Sequence, residues 1–211
     1  MDVDVKFCGL SKPEEVRHAI ALGAAYVGFV FFPKSPRNIT FETAAELADA
    51  ARGKTESVAL LVNPDDMLID HVMTVATPDH VQLHGQETPE RVLEIRKRSG
   101  RPVIKALGVS SATDLERLKH YEAAADQLLL DAKPPEGAAL PGGNGHAFDW
   151  TILRHHHFAT PWLLAGGLHP GNVADAVRIS GTSQVDVSSG VETTPGQKSL
   201  ELMSSFVAAL E

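Results

Sequence analysis

Eight short apolar runs, separated by stretches of helical period, constrain the fold more than any other feature of the sequence. The runs are Val3–Phe7, Tyr26–Phe31, Ser57–Val62, His80–Leu83, Val103–Leu107, Gln127–Leu130, Trp162–Leu164 and Gln184–Val187. Several are apolar at consecutive positions, as parallel strands covered on both faces require. The stretches between them open with helix signals. Ser11 precedes Pro13, Glu14 and Glu15; Thr40 or Thr43 precedes Ala44–Ala51; Asn63-Pro64-Asp65-Asp66 opens a third helix and Thr88-Pro89-Glu90 a fourth. Ser110 or Ser111 caps Asp114–His120, Asn172 caps Val173–Ile179, and Ser199 starts Leu200–Leu210. Strand–helix repeats of roughly 25 residues point to an α/β fold, a (β/α)8 TIM barrel with residues 1–211 as one domain. A doubly wound open sheet would place a Gly-rich turn after its first strand, where only Gly9 stands.

The remaining bulk properties narrow the function class. The net charge is −8, which leaves no electrostatic footprint for nucleic acid or an anionic membrane. No apolar run is long enough to span a bilayer, and no charged-then-apolar leader is present. The single cysteine cannot form an internal disulfide, which fits a reducing compartment. The expectation is a cytoplasmic protein, monomer or homodimer, whose partner is a small molecule.

In a (β/α)8 barrel the chemistry sits at the C-terminal ends of the strands. Those ends carry Cys8, Phe32 to Arg37, Asn63, His84, Asp131, Gly166-Gly167 and Asp186 to Gly190, while the strand interiors stay apolar. The loops after the seventh and eighth strands commonly hold phosphate through backbone N–H groups. Here they supply Gly166, Gly167, Ser188, Ser189 and Gly190, small residues suited to that close approach or to tight turns. Cys8 reads as a general base whose thiol neighbouring cations could lower toward neutrality, or as a small buried hydrophobe. Lys6 shares its face by strand alternation and could tune that thiol or fill a barrel layer. Asp131 reads as a general acid or a loop cap. Arg37 could fork a carboxylate or phosphate, or simply be solvated. His84 could orient a substrate or satisfy a loop carbonyl. His155-His156-His157 cannot all face one ion from a helix or strand, so they are expected to be surface residues and no metal is expected. Residues 132–149 form the longest irregular stretch, beginning directly after Asp131, where a loop of that length would cover or form a site.

Seven stretches together carry a resemblance. They are Lys6 to Leu10, Phe29 to Arg37 (FVFFPKSPR), Val81 to Gly85, Leu130-Asp131, Gly142 to Trp150, Leu164 to Val173 (LLAGGLHPGNV) and Val185 to Glu192 (VDVSSGVE), continuing to Pro195-Gly196-Gln197-Lys198. In order and position along nearly the whole chain, the sequence resembles the phosphoribosylanthranilate isomerases of tryptophan biosynthesis. The resemblance implies a (β/α)8 barrel and a cofactor-free Amadori rearrangement of N-(5-phosphoribosyl)anthranilate. It further implies Asp131 as the acid that opens the ribose ring and Cys8 as the base that removes the C2′ proton. Arg37 would bind the anthranilate carboxylate, backbone groups near Gly167 and Gly190 the phosphate, and Asp186 the sugar or its neighbours. Asn144 and Ser199 depart from the family pattern, in loops. The related isomerase of histidine biosynthesis resembles this fold but has aspartate in place of Cys8. Another phosphosugar-isomerising barrel, or a barrel that only binds a phosphorylated metabolite, are the alternatives.

Overall fold

Alternation along each apolar run decides which side chains fill the interior and which meet the helices. The computed structural model of the chain describes residues 3–133, 147–154 and 156–211. Its eight parallel strands are β1 (Asp4–Cys8), β2 (Tyr26–Phe31), β3 (Glu56–Leu61), β4 (His80–Leu83), β5 (Val103–Val109), β6 (Gln127–Ala132), β7 (Trp162–Leu164) and β8 (Gln184–Val187). They are hydrogen-bonded in chain order, and β8 returns to β1 to close the barrel. At that seam Lys6 stands directly opposite Asp186. All eight expected strands form, and the fold is the expected (β/α)8 barrel.

The helices are α1 (Pro13–Ala21), α2 (Phe41–Ala51), α3 (Asp66–Val75), α4 (Pro89–Ser99), α5 (Ala112–Glu122), α6 (Val173–Ser180) and α7 (Leu200–Ala208). Between β6 and β7 the described residues contain only a 3-10 turn, Trp150–Leu153. Most of the 132–149 stretch, including Asn144, lies outside the described residues, as does His155. A short hairpin, β9 (Glu192–Thr194) and β10 (Gln197–Lys198), follows β8 and has no counterpart among the expected elements.

Several helix starts differ from expectation, each for a local reason. The first helix is capped from within: Glu15 accepts from the backbone N–H of Ser11 (2.7 Å) and Lys12 (3.2 Å), so the Ser11 hydroxyl is not the cap. Thr40 accepts from Thr43 N, starting α2 at Phe41 rather than Ala44. Asp65, not Asn63, caps α3 by accepting from Leu68 N at 2.8 Å. Asn172 makes no side-chain cap on α6 and ties down a loop instead.

Two packed regions result. Phe7, Val27, Phe29, Leu61, Leu128 and Val185 point outward into the layer shared with the helices. Inside the barrel, Val58, Ile104, Ala106, Leu129, Leu163 and Ala165 pack as one group, and Cys8, Val30 and Leu60 as another nearer the mouth. Lys105 breaks the apolar pattern on the outer side of β5. It is buried under the β4–α4 loop, where its ammonium donates to Gly85 O (2.9 Å), Leu83 O (3.3 Å) and Glu87 Oε2 (2.7 Å). Glu87, itself buried, also accepts from the backbone N–H of Asn63 (2.8 Å) and Gly85 (3.1 Å). The pair thereby fixes the loops after β3 and β4 to the barrel wall.

Breaking a buried pair by removing one partner strands the other charge in a poorly solvating site. Glu87→Ala is therefore expected to cost about 3–5 kcal/mol of stability, read as a fall in the urea midpoint. The paired change Glu87→Leu with Lys105→Met should recover most of that loss.

Candidate active site

At the C-terminal end of the barrel a cavity opens to solvent, the place where ligand sites of this architecture form. Its lining contains Cys8, Arg37, His84, Asp131, Gly166, Gly167, Asp186, Ser188 and Ser189. Six strands or the loops after them deliver these residues to one place. Gly190 does not line the cavity. A Cβ there would lie 1.8 Å from Leu168 O, so glycine is needed where the loop after β8 crosses the loop after β7. Val30, Phe32, Leu60 and Val62 form an apolar wall on the β2–β3 side, beside Cys8.

Cys8 ends β1 with its side chain inside the mouth. Alternation places Lys6 beneath it on the same face, fully buried, with Nζ donating to Asp186 Oδ1 at 2.6 Å. Gly28, level with Cys8 on β2, leaves the room this needs: a Cβ there would sit 3.0 Å from Cys8 Sγ and 3.3 Å from Lys6 Nζ. Burial alone would pull the Lys6 ammonium down, but Asp186 and Cys8 outweigh it and hold its pKa above the ordinary value. Lys6 is a fixed cation next to the thiol. The thiol nevertheless moves the other way. Burial pushes Cys8 up, Lys6 and Lys198 pull it down, Asp186 adds to the rise, and the net shift is upward. The fall toward neutrality expected from cationic neighbours does not occur, because desolvation of the thiolate exceeds their attraction.

Arg37 is committed more deeply than a free guanidinium. Its Nε and one Nη donate to the two oxygens of Glu192 at 2.7 and 2.8 Å, a bidentate pair. Lys198 Nζ donates to Glu192 Oε1 (2.6 Å) and to the carbonyl (3.0 Å) and hydroxyl (3.2 Å) of Ser188. The Ser188 hydroxyl donates in turn to Cys8 O at 2.9 Å. Burial raises the Glu192 carboxyl, yet Arg37 and Lys198 overcome this and hold it below the usual range. The hairpin after β8 therefore braces the Arg37 loop and the end of β1 together.

On the opposite side, His84 Nε2 lies 3.3 Å from Asp131 Oδ2, and Gln82 Nε2 lies 3.1 Å from His84 Nδ1. Asn172 Nδ2 donates to Gly167 O at 2.9 Å while its Oδ1 accepts from His169 N at 2.8 Å, shaping the loop between β7 and α6. Among the described residues, no group of three or more His, Cys, Asp or Glu converges as a metal site would require.

Residues 5–209 match the family model described as N-(5'phosphoribosyl)anthranilate (PRA) isomerase. The chain belongs to the PRA isomerase family. A PRA isomerase from Paramagnetospirillum magneticum (strain ATCC 700264 / AMB-1) is 54% identical over 99% of this chain and 97% of its own. The crystal structure of the PRA isomerase from Thermotoga maritima is 37% identical with a TM-score of 0.88, covering 99% of this chain and 98% of that one. A PRA isomerase solved in complex with reduced 1-(o-carboxyphenylamino)-1-deoxyribulose 5-phosphate has a TM-score of 0.82 at 34% identity, covering 99% and 98%.

Residues that sequence reading passed over are Gln82, Glu192 and Lys198. Gln82 and Lys198 stand in the resembling stretches and Glu192 ends one of them, but a single sequence gives no sign that Glu192 meets Arg37.

Cys8 is the only thiol, so its titration can be followed by alkylation. Its reaction with iodoacetamide is expected to rise with pH through a midpoint above that of a free thiol, about 8.5. Lys6→Met removes a group that pulls the thiol down and should move the midpoint higher still. A midpoint unchanged by that substitution would mean Lys6 does not act on the thiol.

Proposed function

We propose that the chain catalyses the Amadori rearrangement of N-(5-phosphoribosyl)anthranilate to 1-(2-carboxyphenylamino)-1-deoxyribulose 5-phosphate, a step of tryptophan biosynthesis. The observation that carries the reading is one cavity faced by both Cys8 and Asp131, in a chain belonging to this family over nearly all its length. It acts as a single-domain cytoplasmic enzyme, monomer or homodimer. The Thermotoga maritima relative is called dimeric in one of its structures.

Asp131 gives a proton to the ribose ring oxygen. The C1′–O bond breaks with its electron pair going to that oxygen, and the anthranilate nitrogen supplies the electrons of a C1′=N iminium. Cys8, as thiolate, removes the proton from C2′, and the released pair forms the C1′=C2′ bond of an enolamine. Transfer of the enol proton to C1′ completes the ketone. The iminium is a cation beside Cys8, and a nearby cation favours the thiolate. As that cation forms, the Cys8 thiol gives up its own proton to solvent water, and the resulting thiolate takes the C2′ proton.

The apolar wall of Val30, Phe32, Leu60 and Val62 takes the aromatic ring, and the guanidinium N–H groups of Arg37 not held by Glu192 take the carboxylate. Backbone groups around Gly166, Gly167, Ser188, Ser189 and Gly190 hold the phosphate, supported by the pinned geometry at Gly167 O. Asp186, already bonded to Lys6, orients neighbours more than it binds sugar.

The test is loss of anthranilate fluorescence with freshly generated phosphoribosylanthranilate. Turnover well above the spontaneous rate is expected, and its absence would overturn the reading. Cys8→Ala and Asp131→Asn should each lower kcat by roughly 10²-fold or more while the proteins stay folded and bind product. Near-normal kcat in either variant would remove that residue from its role.

A further inference from the structure

Gln82 is a polar side chain where the barrel has every reason to place an apolar one. It points inward from β4, level with Leu60 on β3 and Ile104 on β5, and it is completely buried. Among the described residues its carbonyl oxygen has no hydrogen-bond partner. A buried acceptor without a partner is a cost that a methionine or leucine of similar volume would avoid. Its retention beside the cavity calls for a task that an apolar residue cannot perform.

The amide nitrogen indicates the task. It can only donate, and it lies 3.1 Å from His84 Nδ1, so Nδ1 of a neutral His84 must be the acceptor. The proton of that ring is then on Nε2, the atom 3.3 Å from Asp131 Oδ2. The ring thus presents an N–H to the Asp131 carboxyl. The opposite tautomer would present a lone pair to Asp131 and draw its proton toward the imidazole.

We propose that Gln82 is a positioning residue that locks His84 in the Nε2–H tautomer, so that an N–H and not a lone pair faces the Asp131 carboxyl, 3.3 Å away. The inference rests on Asp131 being the acid of the proposed reaction, but the tautomer can be read without any substrate. No bond is made or broken by Gln82 or His84. The amide fixes a ring, and the ring fixes whether an N–H or a lone pair faces the acid.

Gln82→Met keeps volume and removes the donor. With 15N-labelled histidine, His84 (assigned by its loss in His84→Ala) should show the Nε2–H tautomer in the unaltered protein and a shifted tautomer population in Gln82→Met. In the fluorescence assay Gln82→Met should lower kcat by about tenfold, less than the loss of the acid itself, with KM little changed. In a His84→Ala background the same substitution should cost nothing further. Tm should rise, by about 2–4 °C, because the unpartnered oxygen is gone. A purely structural glutamine predicts instead that Tm and kcat fall together. An unchanged His84 tautomer, an unchanged kcat, or an equal loss in both backgrounds would each overturn the proposal. A normal kcat in Asp131→Asn alongside the expected nitrogen shifts would fault the acid assignment and, with it, the catalytic half of this inference, while leaving the tautomer lock standing.

Discussion

The ion pair of Lys6 and Asp186 is the interaction on which the rest of the site depends. It joins the first strand to the last, inside the barrel, at the one seam where strands distant in sequence must meet. A lone charge there would be prohibitively desolvated, so each residue requires the other. With both present, a cation stands permanently under Cys8 and an anion is consumed in holding it. The barrel interior is consequently not a uniform hydrophobic plug. Its β5–β7 side is aliphatic, while the β8–β1 side carries the charge that sets the chemistry.

A second buried network repeats the logic at the rim. Glu192 gathers Arg37 and Lys198, and through Ser188 reaches the backbone at Cys8. Fully satisfied networks of this kind are rigid, since every member loses if one moves. The cationic residues that could attract a substrate with two anionic groups are thus also the ones that hold the mouth in shape. The Lys105–Glu87 pair does the same for the loops after β3 and β4 without touching the cavity.

The architecture was legible because alternation and helical period are local properties. Eight runs announced eight strands, and polar residues at their C-terminal ends announced the rim. Cys8, Asp131, His84 and, of the small residues in the last two loops, Gly166, Gly167, Ser188 and Ser189 reach the cavity that this pattern implies, while Gly190 does not. Helix starts were less legible: Glu15 caps α1 by reaching back, while Asn172 serves a loop, and both choices depend on side-chain geometry rather than residue type. The hairpin at 192–198 escaped notice because its strands are too short to show a period. Glu192 could not be matched to Arg37 from sequence because the two stand 155 positions apart. The direction of the Cys8 shift was equally hidden. It is the difference between burial and opposing charges, and only the packed cavity fixes which is larger.

That seam also bears on how the chain acquires its structure. Lys6 and Asp186 are separated by 180 positions, and Ser188 meets Cys8 across the same interval. Contacts so remote carry a heavy loop-closure penalty and form late in folding. A chain emerging vectorially can build its early βα units while β1 keeps an unpaired edge and Lys6 an unpartnered ammonium. Only when β8 and the hairpin dock do the edge, the charge and the Cys8 carbonyl find their partners together. Completion of the site and closure of the barrel depend on the same β1–β8 pairing, so partly made or misclosed chains would hold the thiol but not the surroundings that make it useful.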